Sequence, residues 1–438
     1  MRDALELDAA QLEFARYVRS GDTVCWGQGG AEPCTLTEAL VSQRRAIGGR
    51  FRVFVGASWS QTLQPQHADA IDMSAYCGSG TNRQLAAAGV LDIVPAHYSA
   101  FDRALTRGPF KVDVLLLQVA PADADGHYSL SIAHEYLIPL IDSARVVIAE
   151  VNHAAPWTYG ERALRKADFD ALIHTDRAPL EAPRATPGEI ETRIAQHVAT
   201  LIEDGTTLQL GLGALPDAIL AHLGDRRDLG IHSGAIGDAV ASLMARGVIT
   251  NAKKRNDRGV SIAGAMMGSR KIYGFAHRNS AVQFRSTAYT HDIGVLAGID
   301  RFAAINSAIE VDLTGQVNAE VANGQYLGSV GGAVDFLRGA ARSRGGLPIV
   351  ALPARSRHGS RIVARLSGPV STPRSDVGLV VTEYGVADLR GLSLAQRTRR
   401  MLDIALPEAR DALAAAHAAA LHDSVHSMHS SAREAISS

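Results

Sequence analysis

The chain has 438 residues, enough for two to three domains and a substantial core. Hydrophobic residues make up 46% and charged residues 20%, so disorder, collagen and coiled coil are excluded. Lys plus Arg number 44 against 45 Asp plus Glu, a net charge of -1, which leaves no global basic field for nucleic acid or an anionic membrane.

In chain order, the N-terminal stretch through Val18 reads as a polar amphipathic helix rather than a signal peptide. Gly21 to Leu40 follows as a turn, an apolar strand, a glycine loop (Gly27-Gln-Gly-Gly-Ala-Glu-Pro33) and a helix. Arg52 to Val55, Val112 to Val119 and Val146 to Val151 are short apolar strands bounded by turn residues. The longest apolar runs, Val112 to Ala120 and Ala144 to Val151, fall far short of the ~20 residues of a membrane-spanning helix. Thr175 to Ile190 holds three prolines and mixed charges that interrupt the periodicity. A domain boundary is therefore placed near Pro183, giving domains over 1–183 and 184–438.

The second half opens as the first does. Gly205 to Leu220 repeats Gly21 to Leu40 at an offset of 184 residues, which pairs Gly21 with Gly205, Thr23 with Thr207, Gly27 with Gly211 and Gly29 with Gly213. Strand, glycine loop and helix belong to a parallel α/β sheet, so two copies predict two related α/β halves. Further strands are predicted at Ile349 to Leu352 and Val377 to Thr382. The tail from Pro407 begins as an alanine-rich helix. Its histidines (His417, His422, His426, His429) lack a ligand pattern with carboxylates, and no metal is expected. Cys25, Cys34 and Cys77 cannot form a disulfide framework or a CxxC site, which points to a reduced, cytoplasmic setting.

Three glycine loops carry the chemical signal: Gly27 to Pro33, Gly211 to Asp217 and Gly328 to Phe336. Without Cβ atoms their backbone N–H groups can approach a phosphate or an oxyanion closely, although a tight turn without ligand gives the same pattern. No GxxxxGK[ST] occurs. Neither repeat completes GxGxxG, since Glu32 and Pro216 stand at its last position.

From about Val18 to Arg400 the chain resembles the acetyl-CoA hydrolase/transferase family, in its 4-hydroxybutyrate CoA-transferase-like group. The resemblance is carried by Ala31-Glu-Pro33, Asp92-Ile-Val-Pro95, Leu208-Gln-Leu-Gly-Leu-Gly-Ala-Leu-Pro-Asp-Ala218, Met267-Gly-Ser-Arg270, Asn306 to Val317, Gly331-Gly332 and Val381 to Ala387. It implies two pseudo-symmetric open α/β domains with the active site between them, acyl-CoA as substrate with no permanently bound cofactor, a small carboxylate as a second substrate, and a homo-oligomer. It also implies that Gly211, Leu212, Gly213, Ala214 and Leu215 line the CoA site, with Met267 and Gly268 beside them, and that Gly331 and Gly332 offer backbone donors to CoA or to an acyl oxyanion.

In that family a glutamate attacks the acyl-CoA and passes CoA to an incoming carboxylate through a glutamyl thioester. Here the matching run is His232-Ser-Gly-Ala-Ile-Gly-Asp-Ala239, with Gly234 in the glutamate's place. By resemblance to another branch the glutamate could instead sit near the end of Val53 to Gln61, where Gln61 cannot form an anhydride. Candidates for a relocated carboxylate are Glu32, Glu310, Glu320 and Glu383, with Asp238 close to the vacant position; each can equally be structural. His232 is a candidate base for water or a histidine satisfying backbone groups. His97, His127, His134 and Ser58 rank lower, and Cys25 and Cys34 read as core thiols. Three functions remain open: CoA transfer between small carboxylic acids, hydrolysis of an acyl-CoA at its thioester or a C–C bond, and CoA binding by an inactive homologue.

Overall fold

A computed structural model describes residues 4–183, 185–357 and 359–419 of the chain. Two parallel sheets organise it. The first contains β1 (Leu5–Glu6), β2 (Thr23–Trp26), β3 (Phe51–Val55), β4 (Ile71–Ala75), β5 (Leu91–Ile93), β6 (Val114–Val119), β7 (Val146–Asn152) and β8 (Ala171–Thr175). Their spatial order is β1-β8-β7-β6-β2-β3-β4-β5, all parallel.

The second sheet contains β9 (Thr207–Leu210), β10 (Gly230–Ile231), β11 (Phe302–Ser307), β12 (Leu347–Ala351), β13 (Leu379–Thr382) and β14 (Gly385–Asp388). It runs β10-β9-β11-β12-β13-β14 and is parallel except at its last pair. The stretch β8-β7-β6-β2-β3 of the first sheet corresponds in order to β13-β12-β11-β9-β10 of the second. The repeat found in sequence is thus a repeat of fold, with β2 and β9 as its matching first strands.

Burial explains the strand compositions. All six residues of β6 are buried, from both faces, so the strand is continuously apolar save for Gln118. Each such side chain contributes about 1.5–3 kcal/mol by leaving water. Helices α1 (Cys34–Ser42) and α3 (Ala214–His222) follow the two glycine loops, α2 (Leu137–Ser143) leads into β7, and α4 (Ala333–Arg342) leads into β12. Their apolar faces cover the sheets, as with Leu36 and Leu40 of α1 or Ile219 and Leu220 of α3.

The N-terminal stretch is not the expected α-helix. Leu5 and Glu6 pair with Ala171 and Leu172 on the sheet edge, and Ala9–Gln11 and Phe14–Arg16 are single 3-10 turns. The competing force is burial: Leu12, Phe14 and Val18 enter the core at a spacing that no single helix face provides. The Gln43 side chain then satisfies the backbone, accepting from Phe14 N at 2.9 Å and donating to Leu12 O at 2.9 Å. At the other end, residues 410–419 are helical as expected, and His422, His426 and His429 lie outside the described residues.

The halves interlock. Tyr159–Gly160 pairs with Val282–Phe284, His97 bridges Gly331, and Ser99 donates from N (3.2 Å) and Oγ (2.8 Å) to Asp335 of α4. Loops of the first half therefore fix the glycine loop of the second. Among the described residues no helix is long and apolar enough to cross a membrane.

Candidate active site

The C-terminal end of β9 opens into a cleft between the halves, of about 950 Å³. Gly211, Leu212, Gly213, Met267, Gly268 and Asp238 line one side, and Trp59, Tyr76 and Cys77 of the first half line the other. Gly213 has φ +118°, a conformation that disfavours any side chain, and it caps the N-terminus of α3. A Cβ at Gly211 or Gly213 would meet nothing within 4 Å, so the loop's open side faces the cleft. Unpaired N–H groups at a helix start next to a cleft suit an anionic or carbonyl ligand.

Ala214 is the first residue of α3, and Leu215 turns into the core. Gly268 is glycine because of its neighbours: a Cβ there would stand 2.6 Å from Ile272 and 2.8 Å from Asp238 Oδ1.

The cleft adjoins a smaller chamber of about 250 Å³, with which it shares Tyr76, Leu210, Gly211, Leu212, Ala235 and Met267. Gly234, Gly331 and Gly332 line this chamber. Among the described residues its one acidic lining residue is Glu135, 3% exposed, which precedes α2 and has φ +37°. Holding a non-glycine residue there costs on the order of 1 kcal/mol, the kind of strain that collects at functional sites. Gln28, in the loop after β2, donates Nε2 to Glu135 Oε1 (2.9 Å) and Oε2 (2.7 Å) and lies 2.9 Å from Tyr98 Oη. Tyr76 Oη and Ala57 N donate to Gln28 Oε1 at 2.7 and 3.0 Å, which fixes the amide's orientation. Burial raises the Glu135 carboxyl to about 7, and the bonds from Gln28 and Tyr98 only partly oppose it. The group therefore exchanges its proton near neutral pH.

Beside Gly234 stands the imidazole of His291. A Cβ at Gly234 would lie 3.1 Å from its Cε1 and Nε2, and one at Gly332 would lie 2.6 Å from Nε2. The rings of Tyr98 and Phe336 flank it, with centroids at 4.8 and 4.5 Å. Burial lowers its pKa to about 3, so it is neutral at physiological pH.

The residues singled out from sequence separate into groups. Glu32 is sealed beside the loop after β3, accepting from Ser58 Oγ (2.9 Å), Trp59 N (2.5 Å), Ser60 N (3.1 Å) and Ser60 Oγ (2.6 Å). Burial raises its pKa. Glu310 accepts from Asn318, Ser367 and Gly368 in a separate hollow of the second half, Glu320 from Tyr326 and Ser371, and Glu383 from Ala354 N. Asp238 lines the cleft and holds Ser269 and Ile272 N. Gln61 lies at a different hollow, near Trp59, Arg44 and Arg177.

His232 packs against Tyr289 and Phe302 and lines neither cleft nor chamber; burial lowers it to about 3. His134 stacks on Phe284, is likewise lowered to about 3 by burial, and leaves both ring nitrogens without a partner among the described residues. His97 bridges Gly331, and His127 lies with Asp123 and Asp125 in a turn closed by bonds from their backbone N–H groups to Asp123. Cys25, Cys34 and Cys77 are buried free thiols, and burial lifts Cys34 to about 12.

The chamber's central groups were not among the candidates. Glu135 follows His134 in a stretch with no motif, and His291 sits between short helices. Only Gln28, inside the first glycine loop, carried a sequence signal.

Residues 8–180 match the acetyl-CoA hydrolase/transferase N-terminal domain and residues 268–417 its C-terminal domain. The chain belongs to the acetyl-CoA hydrolase/transferase family. It is 36% identical over 387 residues to the 4-hydroxybutyrate coenzyme A transferase of Clostridium kluyveri, covering 87% of this chain and 90% of that one. Among solved structures, RipA from Yersinia pestis superposes with TM-score 0.89 at 32% identity, covering 95% of this chain and 97% of that one. The 4-hydroxybutyrate CoA-transferase of Porphyromonas gingivalis gives 0.78 at 30% identity, covering 93% and 96%. The two parallel sheets and interlobe cleft are thus the family's fold. In this acetyl-CoA hydrolase/transferase chain, the described residues lining the chamber beside Gly234 include one carboxyl group, Glu135, and it comes from the other half of the molecule.

Proposed function

We propose that the protein transfers CoA between small carboxylic acids in the interlobe cleft, with Glu135 as the carboxylate that carries the acyl and CoA groups. The observation that carries this reading is the Glu135 carboxyl lining the chamber beside Gly234, held by Gln28 and titrating near 7. Family membership supports the substrate class. Acyl-CoA would lie along the cleft, its pantetheine passing the Gly211–Gly213 loop and its thioester reaching the chamber.

In the first step a Glu135 oxygen bonds to the thioester carbonyl carbon, the C–S bond breaks, and CoA leaves as thiolate. The thiolate then attacks the Glu135 carbonyl of the mixed anhydride and expels the acyl group as a carboxylate. An incoming carboxylate reverses the two steps, leaves with CoA, and restores Glu135. Gly331 and Gly332, at the chamber wall and the start of α4, would offer backbone donors to the developing oxyanion.

A second reading is favoured by the same carboxyl. With a pKa of about 7 and no carboxylate at position 234, Glu135 is also suited to take a proton from water, giving hydrolysis. Mass spectrometry of an acyl-CoA panel with and without acetate decides: a new acyl-CoA only with acceptor establishes transfer, and free CoA or a shortened acyl-CoA without acceptor establishes hydrolysis. CoA binding with no product in either arm would leave an inactive homologue.

Around this reading we place a domain boundary near Pro183, a cytoplasmic location suited to three free thiols, and assembly into a homo-oligomer, which sedimentation tests.

A further inference from the structure

We infer that Tyr98 is a positioning residue for the reaction: its hydroxyl braces the Glu135 carboxyl and the Gln28 amide while its backbone grips the Gly331 loop, so that groups from different halves are held at one fixed spacing. The inference rests on the role proposed above for Glu135 and names what keeps that site assembled.

Three consecutive residues of the first half make the brace. His97 pairs with Gly331 in a bridge, Tyr98 N donates to Gly331 O at 3.0 Å, and Ser99 donates twice to Asp335 in the first turn of α4. The glycine loop of the second half thus takes its position from the first.

The side chain of Tyr98 reaches the other way. It is 5% exposed, and its ring packs among those of Tyr76, Phe101, Tyr136 and His291, with centroids 5.2, 5.8, 5.9 and 4.8 Å away. Gln28 Nε2 carries two protons and faces three oxygens, Tyr98 Oη at 2.9 Å and both oxygens of Glu135. An amide nitrogen accepts no hydrogen bond, so Tyr98 Oη accepts from it and keeps its own proton to give. The Glu135 carboxylate receives that proton's hydrogen bond. Burial is the larger influence and raises both groups, and on top of it the bond between them lowers Glu135 and raises Tyr98, the directions expected of a phenol donating to an ionised carboxyl.

Attack on a thioester needs a Glu135 oxygen and the loop's N–H donors at the same carbonyl group, and a misplacement of about 1 Å can cost ~10² in rate. Glu135 and Gln28 belong to the first half, Gly331 and Gly332 to the second. Tyr98 is hydrogen-bonded to both sides, by side chain to one and by backbone to the other.

Tyr98→Phe tests the brace, because it keeps the ring and the backbone and removes only the hydroxyl. A role confined to packing predicts unchanged kinetics. We expect kcat to fall roughly tenfold with KM for acyl-CoA within about twofold. The limb in which rate rises near pH 7 should move to higher pH by about one unit, since a donor to the ionised carboxyl is lost. Ser99→Ala loosens the loop end alone and should leave the limb in place.

The titratable groups facing Glu135 are Tyr76, Tyr98 and Tyr136, all raised by burial, with His291, lowered by burial to about 3, against the Tyr98 ring; Asp335 and His97 stand on the loop side. A limb that vanishes in Glu135→Gln belongs to Glu135. A parental kcat or an unmoved limb in Tyr98→Phe, or an equal displacement in Ser99→Ala, overturns the inference, while inactivity of Glu135→Gln leaves the Glu135 reading standing.

Infrared difference titration gives a readout that needs no turnover, the carboxyl band lost in Glu135→Gln marking Glu135. A higher midpoint in Tyr98→Phe, with no product from any acyl-CoA in the unaltered protein, would sustain the brace and overturn the transferase reading. An unmoved midpoint would overturn the brace whatever the activity.

Discussion

Two buried glutamates, Glu32 and Glu135, show how one fold uses the same side chain in opposite ways. Glu32, in the loop between β2 and α1, packs beside the end of the first-half strand β3, and its oxygens accept four hydrogen bonds from the Ser58–Ser60 loop. Glu135 borders the corresponding strand end of the second half, beside Gly234, and is held chiefly by the Gln28 amide. Both are removed from water and both are pushed above the usual carboxylate range by burial. Burial and pKa therefore do not separate a structural carboxyl from a reactive one. What separates them is saturation: Glu32 has its lone pairs committed and lines neither cleft nor chamber, whereas Glu135 faces open volume.

The largest expected effect breaks the comparison on the reactive side. Glu135→Gln should lower kcat by about 10³-fold or more with the fold intact, since the amide can neither form an anhydride nor accept a proton. Normal turnover by that variant would eliminate Glu135 from the chemistry. Glu32→Ala should act the other way. It strands the Ser58, Trp59 and Ser60 donors and should cost about 2–4 kcal/mol of stability, read as a lower thermal midpoint, with kcat of the folded fraction within a few-fold of the parent. A catalytic loss without a stability loss would reverse the assignment.

The pH dependence sharpens the contrast. Rate should rise with pH through about 7 as Glu135 ionises, and this limb should be absent in any residual activity of Glu135→Gln. For stability the sign is opposite. Between the carboxyl's ordinary 4.5 and about 7 the native state holds a proton that the unfolded chain has released, so this group's contribution falls as pH rises through that window. His134, His232 and His291, each lowered to about 3, contribute the reverse, with stability lost as pH drops from 6.5 toward 3. Denaturant midpoints measured for both forms across pH 4 to 8 should differ by a curve that follows Glu135 alone.

The smallest effect is expected at Gly234→Ala. The new methyl would meet the His291 ring at 3.1 Å, so the ring must yield by a few tenths of an ångström. A several-fold change in kcat/KM with little change in thermal midpoint is predicted; no change would show that the ring moves freely.

Much of the architecture was readable because it is local. Thr23–Trp26 and Thr207–Leu210 are apolar runs followed by glycine loops, and strand, loop and helix form at both repeats. The resemblance across Leu208 to Ala218 and Gly331–Gly332 led to the loops that line the cleft and chamber. The N-terminal stretch misled because burial of Leu12, Phe14 and Val18, together with edge pairing by Leu5 and Glu6, outweighed its helical pattern.

The sequence by itself determined a doubled α/β chain with glycine loops at its strand ends and no carboxylate at position 234. Tertiary structure decided where the chemistry lies. Gln28 and Glu135 meet across 107 residues, and Glu135, Gly234 and His291 converge only when the halves interlock. The physical reason is that a residue's reactivity depends on which donors and how much water surround it, and those neighbours are supplied by distant segments that leave no periodic or motif trace around Glu135 or His291.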